Sequence, residues 1–413
     1  MNNSQLWFEP ISGADSLGIR RAQDSDWTDL INAHSRAFGN RRGKDVADRW
    51  QREVNRDDIF VAEETRSGRR AIVGTVMFYR MSLTVPGRSC LDFAGVGMGL
   101  VAPTHQRHGI YRKIYRYLLD QVDGHGIPLM GGMPSKGGIY RRFGLGPSAF
   151  SSEVTICRGE ARLIARGQPA ATVREIESDE ARDILPAIYD RWVKETVGAV
   201  SRSAEWWDNY FSEISGSSLI ERYFMVHEDG YLTYTLNRAF GDTSIAIGDF
   251  CAVNDDSHTD LWQAVLGLEM FDTIRAELRI DDPIFLKLTD MRSVKTSNKR
   301  DVLWMRLVNI AEAMSRRGYA SDGSVIVQVS DPFEISSGTF ELVAENGVGH
   351  CVPTNASADI HLSLDDLSSL YLGAISPSEL SAAGRMEVLH DGALRRLGSM
   401  LRTDDAPFCN TYF

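Results

Sequence analysis

The sequence predicts a mixed α/β protein in three parts, two consecutive α/β units and a closing α+β unit. Strand-like apolar runs alternate with segments of helical period over residues 1–155, and the same coarse order returns over 156–300. From 301 to 413 the pattern changes to a helical opening, alternating strands and then helices, which suits an α+β module.

In the first unit "DWTDLINAHSRAF" has helical spacing and "DIFVAEE" reads as a strand. "AIVGTVMFYRMSLTV" and "SCLDFAGVGMGLV" read as paired strands around a turn at Pro86 and Gly87. A helix starting near Gly109 follows, because Ile110, Ile114, Tyr117, Leu118 and Val122 recur at helical spacing while Arg112, Lys113 and Arg116 fall elsewhere. The short strand-like "GIPLMGGM" and the glycine-rich "SKGGIYRRFGLGP" complete the unit. In the second unit a helix over "ILPAIYDRWVKET" precedes strands "RYFMVHE", "GYLTYTLN" and "SIAIGDFCAV" and a helix over "HTDLWQAVLGLEMFDTIRA". The third opens on "DVLWMRLVNIAEAMSRRGY", read as helical, and continues through strands "GSVIVQVSD" and "TFELVAENG" to "ASADIHLSLDDLSSLYLG". No low-complexity linker separates the parts, so they are expected to pack together.

The composition, 43% hydrophobic and 24% charged over 413 residues, supplies apolar material for two or three cores. No run of 18 apolar residues suggests a membrane span, and "MNNSQLWFEPISG" lacks the plan of a signal peptide, so the expected location is cytoplasmic. The five cysteines, Cys90, Cys157, Cys251, Cys351 and Cys409, are scattered, with no CxxC pair, and suggest neither a disulfide framework nor a zinc site. A net charge of −11 disfavours nucleic acid and anionic membranes and favours cationic partners.

The turn between "FAGVGMGLV" and "IYRKIYRYLLDQV" carries the first chemical signal. A helix that starts after a buried strand leaves its first-turn amides without intrahelical partners, and such amides bind anions. Gln106, Arg107 and His108 add donors, and Gly109 permits close backbone approach. A merely solvated basic turn is the alternative. Where the second unit has its corresponding turn, "CAVNDDSHTDLWQ", the residues are acidic and the glycine is missing, so if the halves share a fold only the first keeps the anion-binding turn.

"QRHGIY" after an apolar strand resembles the acetyl-CoA pyrophosphate loop of GNAT acetyltransferases, R/Q-x-x-G-x-G/A, with Tyr111 where a small residue is usual. Together with "SKGGIYRRFGLGP" and the aromatic ending "APFCNTYF", it resembles the Eis family of aminoglycoside and lysine acetyltransferases, whose loop also lacks the final small residue. The resemblance spans the chain. It implies tandem GNAT folds, the second without the loop, then a sterol-carrier-protein-like α+β domain, assembled as a homohexamer. It also implies acetyl-CoA as co-substrate, with no metal, and cationic small-molecule amines or lysine side chains as acceptors.

Acetyl transfer from a thioester to an amine needs a neutral amine, a stabilised oxyanion and a proton for the departing thiolate. The resemblance assigns the proton to Tyr140, and a phenol with an ordinary pKa of about 10 carries one at neutral pH. The plainer alternative is a tyrosine packed in a turn. The resemblance assigns amine activation to the terminal carboxylate on Phe413, as an assisted base or an electrostatic anchor. Fraying of "PFCNTYF" would leave Phe408, Tyr412 and Phe413 in water, so docking of this tail is expected. Cofactor contacts carried over are Gly99 and Val101 as backbone edge, then Gln106, Arg107, His108, Gly109 and Ser135. Phe38 and Trp50 form an aromatic acceptor wall or belong to the core. Asn40 stands where the family carries a pocket acid, Tyr79 and Met98 replace other lining residues, and Tyr412 occupies a penultimate position that can be acidic.

Two further clusters have bland readings. "SAEWWDNYF" is either a ligand-binding aromatic box or, preferably, buried packing. Asp255, Asp256 and His258 read as a polar helix start rather than a metal site. Three functions follow: an acetyl-CoA-dependent N-acetyltransferase of aminoglycoside-like amines, the same chemistry on lysines or polyamines, or a ligand or lipid carrier with a vestigial site. The intact loop, Ser135 and Tyr140 favour an enzyme.

Overall fold

The computed structural model describes residues 6–8, 15–39, 48, 51–164, 172–216, 221–239 and 242–413. The predicted strand, turn and helix of the first unit are present: strands Arg69–Thr84 and Cys90–Val101 pair antiparallel, and the helix Ile110–Gly124 follows. That helix buries Ile110, Ile114, Tyr117, Leu118 and Val122, the residues whose spacing announced it, and leads into the strand Leu129–Gly132. Leu129–Gly132 returns parallel to Cys90–Val101. The second unit repeats the device: the strand Asp242–Ala252, the helix Asp255–Leu266 and a parallel return on Thr273–Arg279. The halves share a fold.

Among the described residues thirteen strands form one continuous sheet across both units. Continuity comes from two long strands. Val294–Leu307, which begins within the second unit in sequence and runs past its expected end, inserts between Leu129–Gly132 and Gly146–Cys157. Gly146–Cys157 also pairs with Thr273–Arg279, so both long strands belong to the two halves at once. A second sheet of five strands, including Gly323–Ser330, Gly338–Glu345 and Ile360–Ser363, builds the third unit with the helix Leu364–Tyr371. Its core is continuous with the first unit's: Leu83, Phe93 and Leu129 pack in one cluster with Val327, Leu367 and Leu397.

Two expectations change. "DVLWMRL" is not helical: Val294–Leu307 is a strand whose last six residues are all buried, and a helix begins only at Ile310. A strand covered on both faces shows an unbroken apolar run, which periodicity does not separate from a buried helix. Residues 300 and 301, where the sequence suggests a division, lie within this strand. The helix over "HTDLWQAVLGLEMFDTIRA" stops at Leu266, and Thr273–Arg279 is a strand with alternating burial.

Candidate active site

The strand Cys90–Val101 is opened by a bulge. Thr75 pairs with Leu100 and Met77 with Gly97, so Val76 alone faces Met98 and Gly99. Met98 takes a positive φ of 51°, and its carbonyl is held by the Thr75 hydroxyl at 2.7 Å. On the other side, pairing with Leu129–Gly132 extends only through Phe93, Ala94 and Gly95. Beyond Gly95 the two parallel strands splay and leave backbone groups available in the gap, Gly99 among them and exposed. This open edge fits the amides of a pantetheine arm.

At the far end of the strand, Gln106 to Gly109 are exposed and lead into the helix Ile110–Gly124. Arg107 and Gly109 both have left-handed backbones, φ 67° and 75°, on either side of His108. Such alternation turns successive amides toward one concavity beside the free N–H groups of the first helical turn, and Arg107 adds positive charge. The arrangement fits a pyrophosphate. In the second unit the corresponding helix is capped internally: Asn254 accepts from the Ser257 amide at 2.9 Å, and Asp255 and Asp256 occupy the first turn. His258 faces Asp282 at 3.2 Å, and among the described residues no cluster could hold a metal ion. "NDDSHTD" is thus a polar helix start, capped by Asn254.

Tyr111, the departure from the glycine motif, has a visible role. A Cβ on Gly99 would lie 2.5 Å from its hydroxyl oxygen, so the tyrosine passes through the notch that Gly99 leaves. Its ring packs edge-on to Phe143 at 5.2 Å, and burial raises its pKa far above the ordinary phenol value. It ties the loop to the splayed strand as an uncharged strut.

A cavity of about 740 Å³ opens where the first two units and the C-terminal tail meet, and Met98, Gly99, Tyr111, Ser135, Tyr140 and Phe413 reach it. Tyr140 ends the short helix Gly137–Tyr140. The Ser135 amide donates to its hydroxyl oxygen at 3.2 Å, and the Ser135 hydroxyl stands at the same distance. Tyr79 is on the wall, edge-on to the Phe413 ring at 6.4 Å. Met98 is on the wall too, although 7% exposed and packed among Leu30, Ile59 and Met77. Val101 and the loop Gln106 to Gly109 stand outside the cavity. The Phe38 side chain, Asn40 and Trp50 lie outside the described residues.

The tail is docked, as expected, except at Tyr412, which is 57% exposed. Phe408, Cys409 and Thr411 are buried, and the Phe408 amide bonds the Val197 carbonyl at 2.8 Å. The Thr411 hydroxyl lies 2.6 Å from the Tyr189 hydroxyl and accepts from Arg202 Nε at 3.0 Å. Arg202 grips Asp249 through both terminal nitrogens, at 2.6 and 3.1 Å, and its guanidinium lies 4.0 Å above the rings of Tyr189 and Trp206. Burial opposes its charge, yet Asp249 holds its pKa well above the ordinary arginine value. The Phe413 ring fills a notch at Gly95, where a Cβ would come within 2.9 Å of it.

Residues that sequence reading passed over complete the wall. Glu53, Asp249 and Glu277 bring carboxylates, the last two from the second unit, and Arg222 brings a guanidinium. The Tyr412 hydroxyl lies 3.4 Å from Glu277, so the penultimate tyrosine meets an acid instead of supplying one. "SAEWWDNYF" divides its work on the helix Ala204–Gly216: Trp207 and Phe211 are buried, while Trp206, Asn209 and Tyr210 face the cavity. Buried packing therefore describes only half of it. Trp206 and Tyr210 stack at 5.2 Å and 19°, and their i, i+4 spacing was the available signal.

Residues 18–148 match an acetyltransferase (GNAT) domain model, 198–307 a second one, and 310–410 a sterol carrier protein domain. The chain is 33% identical over 391 residues to the N-acetyltransferase Eis of Mycobacterium tuberculosis, covering 92% of this chain and 96% of that one. An uncharacterized N-acetyltransferase of Streptomyces griseus is 28% identical over 420 residues, covering 96% and 100%. The crystal structure of Eis1 from Mycobacterium abscessus superposes with a TM-score of 0.88 at 27% identity, over 96% of this chain and 100% of that one. With two GNAT domains, a sterol carrier protein domain and 33% identity over nearly the whole length of both chains, the chain belongs to the Eis family of GNAT N-acetyltransferases.

Proposed function

We propose that the protein transfers acetyl from acetyl-CoA to amines of cationic small molecules, with aminoglycosides as the expected class and more than one amine accepted. The observation that carries this reading is the convergence of Glu53 and Glu277 on the cavity that holds Tyr140, beside the rings of Trp206 and Tyr210, which already carry the Arg202 and Arg222 guanidiniums at 4.0 and 4.6 Å. Carboxylates attract ammonium groups. Transfer is direct: the amine nitrogen bonds the thioester carbon, the carbon–sulfur bond breaks, and Tyr140 gives its proton to the sulfur. The Ser135 amide holds the phenol oxygen during that step. The Phe413 carboxylate takes up the proton that the amine loses, directly or through water. Gln106, Arg107, His108 and Gly109 hold the pyrophosphate, and the backbone at Gly99 and Val101 holds the pantetheine. Assembly as a homohexamer and a cytoplasmic location belong to the same proposal and rest on the family likeness alone.

Thiol release from acetyl-CoA, measured with neomycin, spermine and a lysine peptide and followed by mass spectrometry of the products, tests the acceptor class. Mono- and poly-acetylated neomycin is the expected product. Turnover confined to the peptide or to spermine would reassign the acceptor, and absence of acetyl-CoA binding would return the protein to a carrier role. One alanine added after Phe413 moves the carboxylate by about 3.5 Å. It is expected to lower acceptor kcat/KM at least tenfold with an unchanged thermal midpoint, and unchanged kinetics would dismiss the carboxylate.

A further inference from the structure

The turn that presents Tyr140 is too short to hold itself. Gly137–Tyr140 is a four-residue helix and Arg141–Phe143 a single 3-10 turn, whereas isolated helices shorter than about 12 residues are marginal in water. Its position is set by what it is tied to. The Phe143 carbonyl accepts from Arg306 Nη1 at 2.9 Å, and Arg306 is paired with Asp331 of the third unit, neither side chain exposed. Arg141, next to Tyr140, donates to Asp365 Oδ2 at 2.8 Å and Asp366 Oδ1 at 3.4 Å.

Asp365 and Asp366 open the helix Leu364–Tyr371 and are 5% and 2% exposed. Arg385 closes on them from within the third unit, with Nε 2.6 Å from Asp366 and Nη2 2.8 Å from Asp365. The Ser363 hydroxyl lies 2.6 Å from Asp365 Oδ1 and 2.7 Å from Asp366 Oδ2. Two buried carboxylates and two guanidiniums balance while Arg141 is present; without it one buried negative charge is uncompensated. The backbones are locked as well. A Cβ on Gly146 would lie 1.9 Å from the Asp365 carbonyl oxygen, and the Ser148 hydroxyl donates to the Ser368 carbonyl at 3.0 Å.

We infer that Asp365, Asp366 and Arg385 of the sterol-carrier-like unit, acting through Arg141, are positioning residues for Tyr140. The inference rests on Tyr140 acting as the acid. None of these four side chains lines the cavity, so their loss removes no substrate contact. What it removes is registration, and a displacement of about 1 Å can cost about 10²-fold in rate.

The test is a double-mutant cycle on the full-length protein, using whichever of neomycin, spermine or the lysine peptide turns over fastest. Arg141→Met is expected to lower kcat at least tenfold with KM for acetyl-CoA within twofold, and Arg141→Lys to recover part of the loss. In a Tyr140→Phe background Arg141→Met should cost less than twofold, because misplacing an absent acid has no effect. Losses that multiply in the double variant, or a wild-type kcat for Arg141→Met, would overturn the inference. Should Arg141→Met fail a thermal-unfolding check, Arg141→Lys carries the same cycle. Tyr140→Phe at the wild-type rate, or a wild-type protein that releases no thiol with any of the three, instead defeats the underlying reading, and it does so without any Arg141 variant.

Discussion

Tyr140→Phe is expected to lower kcat by roughly 10²–10⁴-fold, the usual contribution of a positioned general acid, while the dissociation constant for acetyl-CoA changes by less than about twofold. The asymmetry follows from where the hydroxyl stands. It is held by the Ser135 amide at 3.2 Å on the cavity wall, and the exposed loop around Arg107 and Gly109 that would carry the phosphates is a separate part of the site. Phenylalanine keeps the ring against Trp304, whose centroid is 6.0 Å away, so the turn retains its packing. Pre-steady-state acetyl transfer alongside calorimetric acetyl-CoA binding separates the two quantities. Equal loss of both would reject the acid role.

Arg202→Met should cost about 3–5 kcal/mol of stability, since it leaves Asp249 buried without its partner. Arg202 has a side-chain exposure of 1%, and Asp249 keeps only the Tyr231 hydroxyl at 3.1 Å and the Asn410 amide at 3.4 Å among its described side-chain donors. The same change removes the donor to Thr411, so the tail should loosen before the domain unfolds. A lower urea midpoint together with faster amide exchange at Phe408 is the expected result. A lower midpoint with Phe408 still protected would make the pair a support of the second unit alone. Replacing both partners, with Asp249→Leu added, should recover much of the stability, because matched apolar side chains leave no charge behind.

These two experiments sit at opposite ends of what could be read in advance. Tyr140, Ser135 and the loop from Gln106 to Gly109 lie in short local signals, and in the loop the backbone follows from local sequence, with positive φ at Arg107 and Gly109. Arg202 and Asp249 are 47 residues apart with no pattern linking them, and only the sheet brings them together. Glu53 and Glu277 are likewise ordinary acids in sequence, converging because the first and second units share one sheet and face a common cavity. Trp206 and Tyr210 were visible as a cluster and misjudged as a whole, since a helix between core and cavity gives one half of its aromatics to each.

By itself the sequence determined the repeated strand, turn and helix, the loss of the glycine-bearing basic turn in the second copy, and the family. Each is written in residues close together, where hydrophobic period and backbone permissiveness act directly. Only the tertiary structure decided that Val294–Leu307 is a strand, since burial on both faces erases the period that would mark it. The cavity wall is likewise assembled across units, and the Tyr140 turn is tied to Asp365 and Asp366 through Arg141. Contacts between residues more than 200 positions apart depend on how the units pack, and no spacing along the chain encodes them.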